Sequence, residues 1–150
     1  MDRLKLTVVF TNPRNINVSE AFIYYIHIRD ITGGKEYRYV GKARSMDRIR
    51  DYDRNMLRIC KGLPKRLRKD GKDREYRTVH FVLYIALREG WDVNAYPLTS
   101  CAGMDKADKN AKERAFIDEL RCNLNNNRPW CIEHLTDTTI ESLGVIPICN

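Results

Sequence analysis

Glu113 is the residue of this chain whose placement says most about chemistry. Turning about 100° per residue along a helix puts Phe116, Ile117, Leu120 and Leu124 on one stripe, and Glu113 falls in the middle of it, whereas Glu119 points away. An inward carboxylate costs free energy unless it is paired with a cationic side chain or binds a metal ion. Both readings are open from the spacing alone. Arg48 stands in the first turn of an earlier helical segment, with Tyr52 one turn further on the same side. A guanidinium binds a phosphodiester through two parallel hydrogen bonds and stays charged at any working pH, which suits a phosphorane-like transition state. Arg50 competes for the role, and a solvated helix arginine is the ordinary alternative among 27 basic residues. Tyr24 and Tyr39 lie in β-branched, aromatic segments where tyrosine is most often a packing residue.

Two other groupings bear on chemistry. From Lys61 to Arg77 the chain is densely basic, through Lys65, Arg66, Arg68, Lys69, Lys72 and Arg74. Such a run is either a solvated loop or a segment that tracks phosphates. Lys61, Lys65, Arg66, Arg68 and Lys69 are the candidate DNA-binding residues. Cys122, Cys131 and His134 are zinc-ligand types close in sequence, but the paired knuckles of structural zinc sites are missing, so buried thiols and a surface histidine are the preferred reading.

These residues need elements to hold them. Leu4 to Phe10 reads as a strand or extended arm ending at Thr11-Asn12-Pro13. Ala21 to Ile28, the turn chemistry of Thr32-Gly33-Gly34-Lys35, and Glu36 to Val40 make a β-hairpin with tyrosines on both arms. A helix capped by Ser45 follows through Met46, Ile49, Met56, Leu57 and Cys60, and ends near Gly62-Leu63-Pro64. Tyr76 to Arg88 reads as a second amphipathic helix stopped at Gly90, and Trp91 to Tyr96 as a strand ending before Pro97. The third helix is expected from about Asp105 to Leu124, breaking in Asn125-Asn126-Asn127-Arg128-Pro129, with a short helix near Thr139 to Leu143. Strands interleaved with helices predict an α/β fold, a small mixed, partly antiparallel sheet flanked by helices.

At 150 residues the chain fits one domain with one site, residues 1–20 forming an arm and 132–150 a tail. The net charge of +7 favours polyanions, of which nucleic acid is the commonest. Five scattered cysteines without a C-x-x-C pair suit reduced thiols, and neither a secretion signal nor a membrane-length apolar run is apparent, so a cytoplasmic protein is expected.

The segments Phe22-Ile23-Tyr24-Tyr25-Ile26 and Tyr39-Val40-Gly41-Lys42-Ala43, then Met46, Arg48-Ile49 and Tyr52, then Glu113-Arg114-Ala115-Phe116-Ile117, together resemble the GIY-YIG endonuclease family. The resemblance covers roughly residues 20 to 131 and is nearest to the small single-domain phage and restriction endonucleases, with an Arg-Pro-Trp-like turn at Arg128-Pro129-Trp130. It implies metal-dependent cleavage of double-stranded DNA, in a bacterial or phage-infected cell, by an enzyme that pairs at least transiently to cut both strands. Under it Tyr24 is the general base for the attacking water, Tyr39 assists water or phosphate positioning, Arg48 holds the scissile phosphate and Glu113 binds one Mg²⁺ or Mn²⁺ ion. Lys42 and Tyr52 are second-tier members. Phe22 stands where the family has its first glycine, the hairpin turn is longer than in the shortest members, and the gap from Gly41 to Arg48 is one residue shorter than in many. The asparagine that closes the family's motif falls at Cys131 or is supplied by Asn127. A non-catalytic nucleic-acid-binding module and a structure-specific nuclease for branched DNA are the alternatives.

Overall fold

The computed structural model describes residues 7–65, 75–126, 128–135 and 139–149, the last two positions of the third stretch by backbone alone. Arg66, Arg68, Lys69 and Asn127 therefore lie outside the described residues. The strands are β1 (Val9–Phe10), β2 (Phe22–Asp30), β3 (Lys35–Ala43), β4 (Tyr76–Arg77), β5 (Asp92–Ser100), β6 (Pro129–Trp130) and β7 (Ile148–Cys149). The helices are α1 (Asp47–Cys60), α2 (Thr78–Glu89) and α3 (Lys106–Glu119), with short 3₁₀ turns at Ile132–Leu135 and Glu141–Leu143. The main sheet runs β1-β5-β2-β3-β7, mixed because β1 pairs parallel with β5 while the other pairs are antiparallel. This is the small α/β arrangement the sequence predicts.

β2 is central, flanked by β3 and β5, and its alternate residues serve two cores. Phe22, Tyr24, Ile26 and Ile28 face α1 and α2 with Met56, Phe81 and Leu83, while Ile23 and Tyr25 face the other side with Val40 and Leu98. Burial on both faces explains why β2 reads as a continuous apolar run instead of an alternating one. Phe116 and Ile117 of α3, with Leu120 at its C-cap, cover the second face and are only half-buried. No helix among the described residues is long and apolar enough to cross a membrane.

Several elements differ from the sequence reading: the N-cap of α1 is Met46, with no side-chain cap, in place of Ser45, and the short strands β6 and β7 carry no signal in the sequence. α2 begins at Thr78, Tyr76 belonging to β4, and it is buried nearly all round, because α1 and the sheet cover most of its sides. β5 continues through Pro97 to Ser100. Proline is tolerated there because β1 covers β5 only at Asn94 and Ala95, so β5 is an edge at Pro97, beside a register shift at Ile23 and Tyr24. α3 ends at Glu119, not Leu124. Arg121 takes φ 52°, and Leu124 N–H then donates to the Arg38 carbonyl at 3.1 Å. Asn123 Oδ1 accepts the Arg38 N–H at 2.7 Å, and Asn125 both accepts from Val40 N–H at 3.1 Å and donates to the Val40 carbonyl at 2.7 Å. These amides offer the backbone partners that a continued helix could not, and they close part of the β3 edge against further pairing.

Candidate active site

Four elements, β3, α1, α3 and, through Arg77, β4, supply the charged and phenolic residues of one cavity. Tyr39 and Lys42 come from β3, Arg48 from the first turn of α1 and Glu113 from α3, and together they line a space of about 400 Å³ with Val40, Arg77, Arg114, Ile117 and Asn125. Asn125 ties the segment after α3 to Val40, the neighbour of Tyr39, so its hydrogen bonds hold the helix carrying Glu113 against the strand carrying Tyr39 and Lys42. The Lys42 ammonium donates to Asn110 Oδ1, one turn before Glu113 on α3.

Glu113 is half-exposed at the cavity wall. Desolvation pushes its carboxyl above the ordinary glutamate value, while Lys42, Arg77 and Arg48 pull it back. No ion pair engages it among the described residues, which removes the buried-pair alternative left open by the spacing. A partly desolvated carboxylate with unspent acceptor capacity fits a single Mg²⁺ or Mn²⁺ ion, since these ions take few protein oxygens and keep their waters. No group of three or more His, Cys, Asp and Glu side chains gathers into a cage among the described residues. Cys122 is half-buried against the second core and Cys131 is exposed, and neither lines the cavity.

Tyr24 lies beneath the cavity and has no exposed surface. Its hydroxyl meets that of Tyr52 at 2.6 Å, and the ring stands edge-on to Tyr52 and tilted against Tyr39. Burial drives its ionisation far above the ordinary phenol range, Tyr39 adds to the shift, and Arg48 and the Tyr52 hydrogen bond only partly oppose it. Tyr52, equally buried, is displaced in the same direction for the same first reason. Burial works against the charge on Arg48, but Tyr24 and Tyr52 more than offset this and hold its pKa above the ordinary value. Arg48 is exposed as a residue, but its guanidinium is partly desolvated against the Tyr24 and Tyr52 hydroxyls, which steady it at the cavity wall.

The cross-strand partner of Tyr24 is Gly41. A Cβ at Gly41 would overlap the Tyr24 hydroxyl and the ring carbon that bears it. Glycine is therefore required for close approach of the ring. Gly41→Ala is expected to lower stability by about 1–3 kcal/mol through overpacking, seen as a lower urea midpoint with an unchanged slope.

His80 and Arg77 were not marked by the sequence. His80, an apparent core position between Val79 and Phe81, is buried against Tyr52 and Tyr76, and its Nδ1 accepts the Arg77 N–H at 3.0 Å, capping α2. Burial, with Lys65, Arg48 and Arg77 nearby, holds its pKa well below the ordinary histidine value. The folded chain therefore binds this proton less readily than the unfolded chain, and its contribution to stability is complete above the ordinary value of ~6.5 and is lost as pH falls from there towards the folded value. Thermal unfolding should shift to lower temperature on acidification from about pH 6.5, with a slope approaching ~1.4 kcal/mol per pH unit for one proton, and His80→Gln should flatten that slope.

Asn125 lines the cavity, whereas Cys131, one of the two positions expected for the family's asparagine, does not, and Asn127, the other, is outside the described residues. Nothing in the run of three asparagines marks Asn125 as lining the cavity. No family model, curated protein or solved structure matches this chain.

Proposed function

We propose that the chain is a metal-dependent endonuclease of the GIY-YIG type that hydrolyses DNA phosphodiester bonds. The observation that supports this most is the shared cavity of Tyr39, Lys42, Arg48 and Glu113, residues far apart in sequence and each of a type that phosphodiester hydrolysis uses. Several cations beside one desolvated carboxylate suit a phosphodiester bridged to a divalent ion.

In this reading Glu113 holds the Mg²⁺ or Mn²⁺ ion through its carboxylate. With such an ion bound there, a phosphoryl oxygen is polarised and the charge developing on the phosphate is offset. Arg48 grips the scissile phosphate with its planar fork, and Lys42 adds a point charge from the β3 side. Tyr39 is the phenol that reaches the cavity, and its hydroxyl accepts a hydrogen bond from the attacking water and orients it. The role of general base implied for Tyr24 does not fit a phenol held protonated without solvent contact. Tyr24 and Tyr52 instead steady Arg48.

Labelled duplex, nicked, single-stranded and branched oligonucleotides incubated with the chain in Mg²⁺ or in EDTA test the reading. Cutting of the duplex in Mg²⁺ alone is expected. Cutting confined to branched strands would shift the substrate class, and retarded but intact DNA under every metal would replace the enzyme with a non-catalytic binding module.

A further inference from the structure

Arg48 also walls a second cavity, of about 190 Å³, which is lined largely by α1 and does not include Glu113. Arg54, Arg58 and Lys65 bring further positive charge to it, Asp51 one negative charge, and His80 and Asn55 line it from within. The space is well below the ~300–1,000 Å³ typical of pockets for whole small molecules, so it suits a compact anionic group. Asp51 already pairs with Arg54 at 2.6 Å, and Arg58 Nε donates to the Pro64 carbonyl at 2.8 Å, which fixes two of the guanidinium groups in place.

The buried imidazole adds direction to this charge. Because Nδ1 accepts the Arg77 N–H, the neutral ring carries its proton on Nε2, the side it shares with Asn55. The Asn55 atom that faces Nε2, 3.5 Å away, is the amide Nδ2, itself a donor, so with the proton on Nε2 no hydrogen bond joins the two in this orientation of the amide. An Nε2–H thus points at a pocket of cations, where an anionic oxygen is the acceptor that would satisfy it.

We propose that this cavity is a second phosphate site, which takes a backbone phosphate of the same DNA strand neighbouring the one at Arg48, with His80 Nε2–H donating to it and Arg54 and Lys65 neutralising it. The identity of the strand rests on the endonuclease reading. The phosphate chemistry of the pocket does not, and a free inorganic phosphate shares it. Arg48, common to both cavities, then stands between consecutive phosphates and sets the register in which one of them meets Glu113.

Binding measured in EDTA, where no cutting can intervene, tests the pocket by fluorescence anisotropy of a labelled duplex. Arg54→Gln with Lys65→Gln should weaken binding about tenfold at moderate salt and reduce the slope of log affinity against log salt by about one, the loss of one phosphate contact. Asp51→Asn, which removes the competing carboxylate, should tighten binding severalfold, a gain that structural damage would not produce. His80→Gln should retain more affinity than His80→Phe when both remain folded by circular dichroism. Unchanged affinity and slope in the double variant would overturn the site. So would inorganic phosphate stabilising the chain in an Asp51-sensitive way while DNA binding ignores every variant, since the ligand would then be a free anion. If wild type cuts in Mg²⁺ but the double variant binds and cuts like it, the second site fails and the nuclease reading stands. If the predicted binding changes appear and no condition gives cutting, the reverse holds.

Discussion

Glu113→Ala is expected to reduce Mg²⁺-dependent DNA cutting at least a thousandfold, the scale of a lost divalent ion that supplies several kcal/mol of charge stabilisation, while DNA affinity in EDTA stays level or rises slightly. The affinity follows from charge. Glu113 is the only carboxylate among the described residues lining its cavity, beside Lys42, Arg48, Arg77 and Arg114, so its removal leaves that surface more attractive to a polyanion. Stability should change little, because Glu113 sits half-exposed and makes no ion pair among the described residues, and deleting it relieves a desolvation cost. An alternative in which Glu113 merely anchors α3 predicts the opposite pattern, lost stability with cutting reduced only in proportion to the folded fraction.

Arg48→Lys should cut about a hundredfold more slowly at saturating protein, despite keeping the charge. Removing one well-placed donor from a developing oxyanion costs about 10²–10³ in rate, and an ammonium cannot reproduce a two-pronged grip on phosphate. The same substitution should disturb the hydroxyls beneath it. Arg48 is the cation that acts on both buried phenols, Tyr24 and Tyr52, and a shorter fork-less side chain leaves their 2.6 Å pair less well supported. Single-turnover rates at two protein concentrations separate slower chemistry from weaker binding. An Arg48→Lys variant as fast as wild type would remove Arg48 from the phosphate.

Much of the framework is legible in the sequence because its signals are local. The turn chemistry around Gly33 and Gly34 fixes the hairpin, where Gly34 at φ 64° closes onto the Asp30 carbonyl at 3.0 Å. The stripe containing Phe116, Ile117 and Leu120 orients Glu113, and the first turn of α1 presents Arg48. What the sequence conceals depends on distant partners. Whether Pro97 ends a strand depends on how far β1 reaches along β5. Whether α3 runs on to Leu124 depends on the β3 edge competing for Asn123 and Asn125. The depth of Tyr24 depends on Gly41 across the hairpin and on Tyr52 28 residues away. Period-2 alternation places the ring on a face but says nothing of how completely α1 covers it. His80 was hidden for a similar reason: one histidine in an apolar helix has the pattern of a core residue, and only the charges that α1 and Lys65 bring beside it give it a role.

Supercoiled plasmid treated with wild type in Mg²⁺, with wild type in EDTA and with Glu113→Ala in Mg²⁺, each checked for folding and for DNA binding, tests the central claim most directly. Relaxed or linear DNA in the first reaction alone, with binding preserved in all three, is the predicted result. Plasmid that is bound yet stays supercoiled in the first reaction, or is cut equally in all three, would contradict the assignment of this cavity as a metal-dependent phosphodiesterase centre.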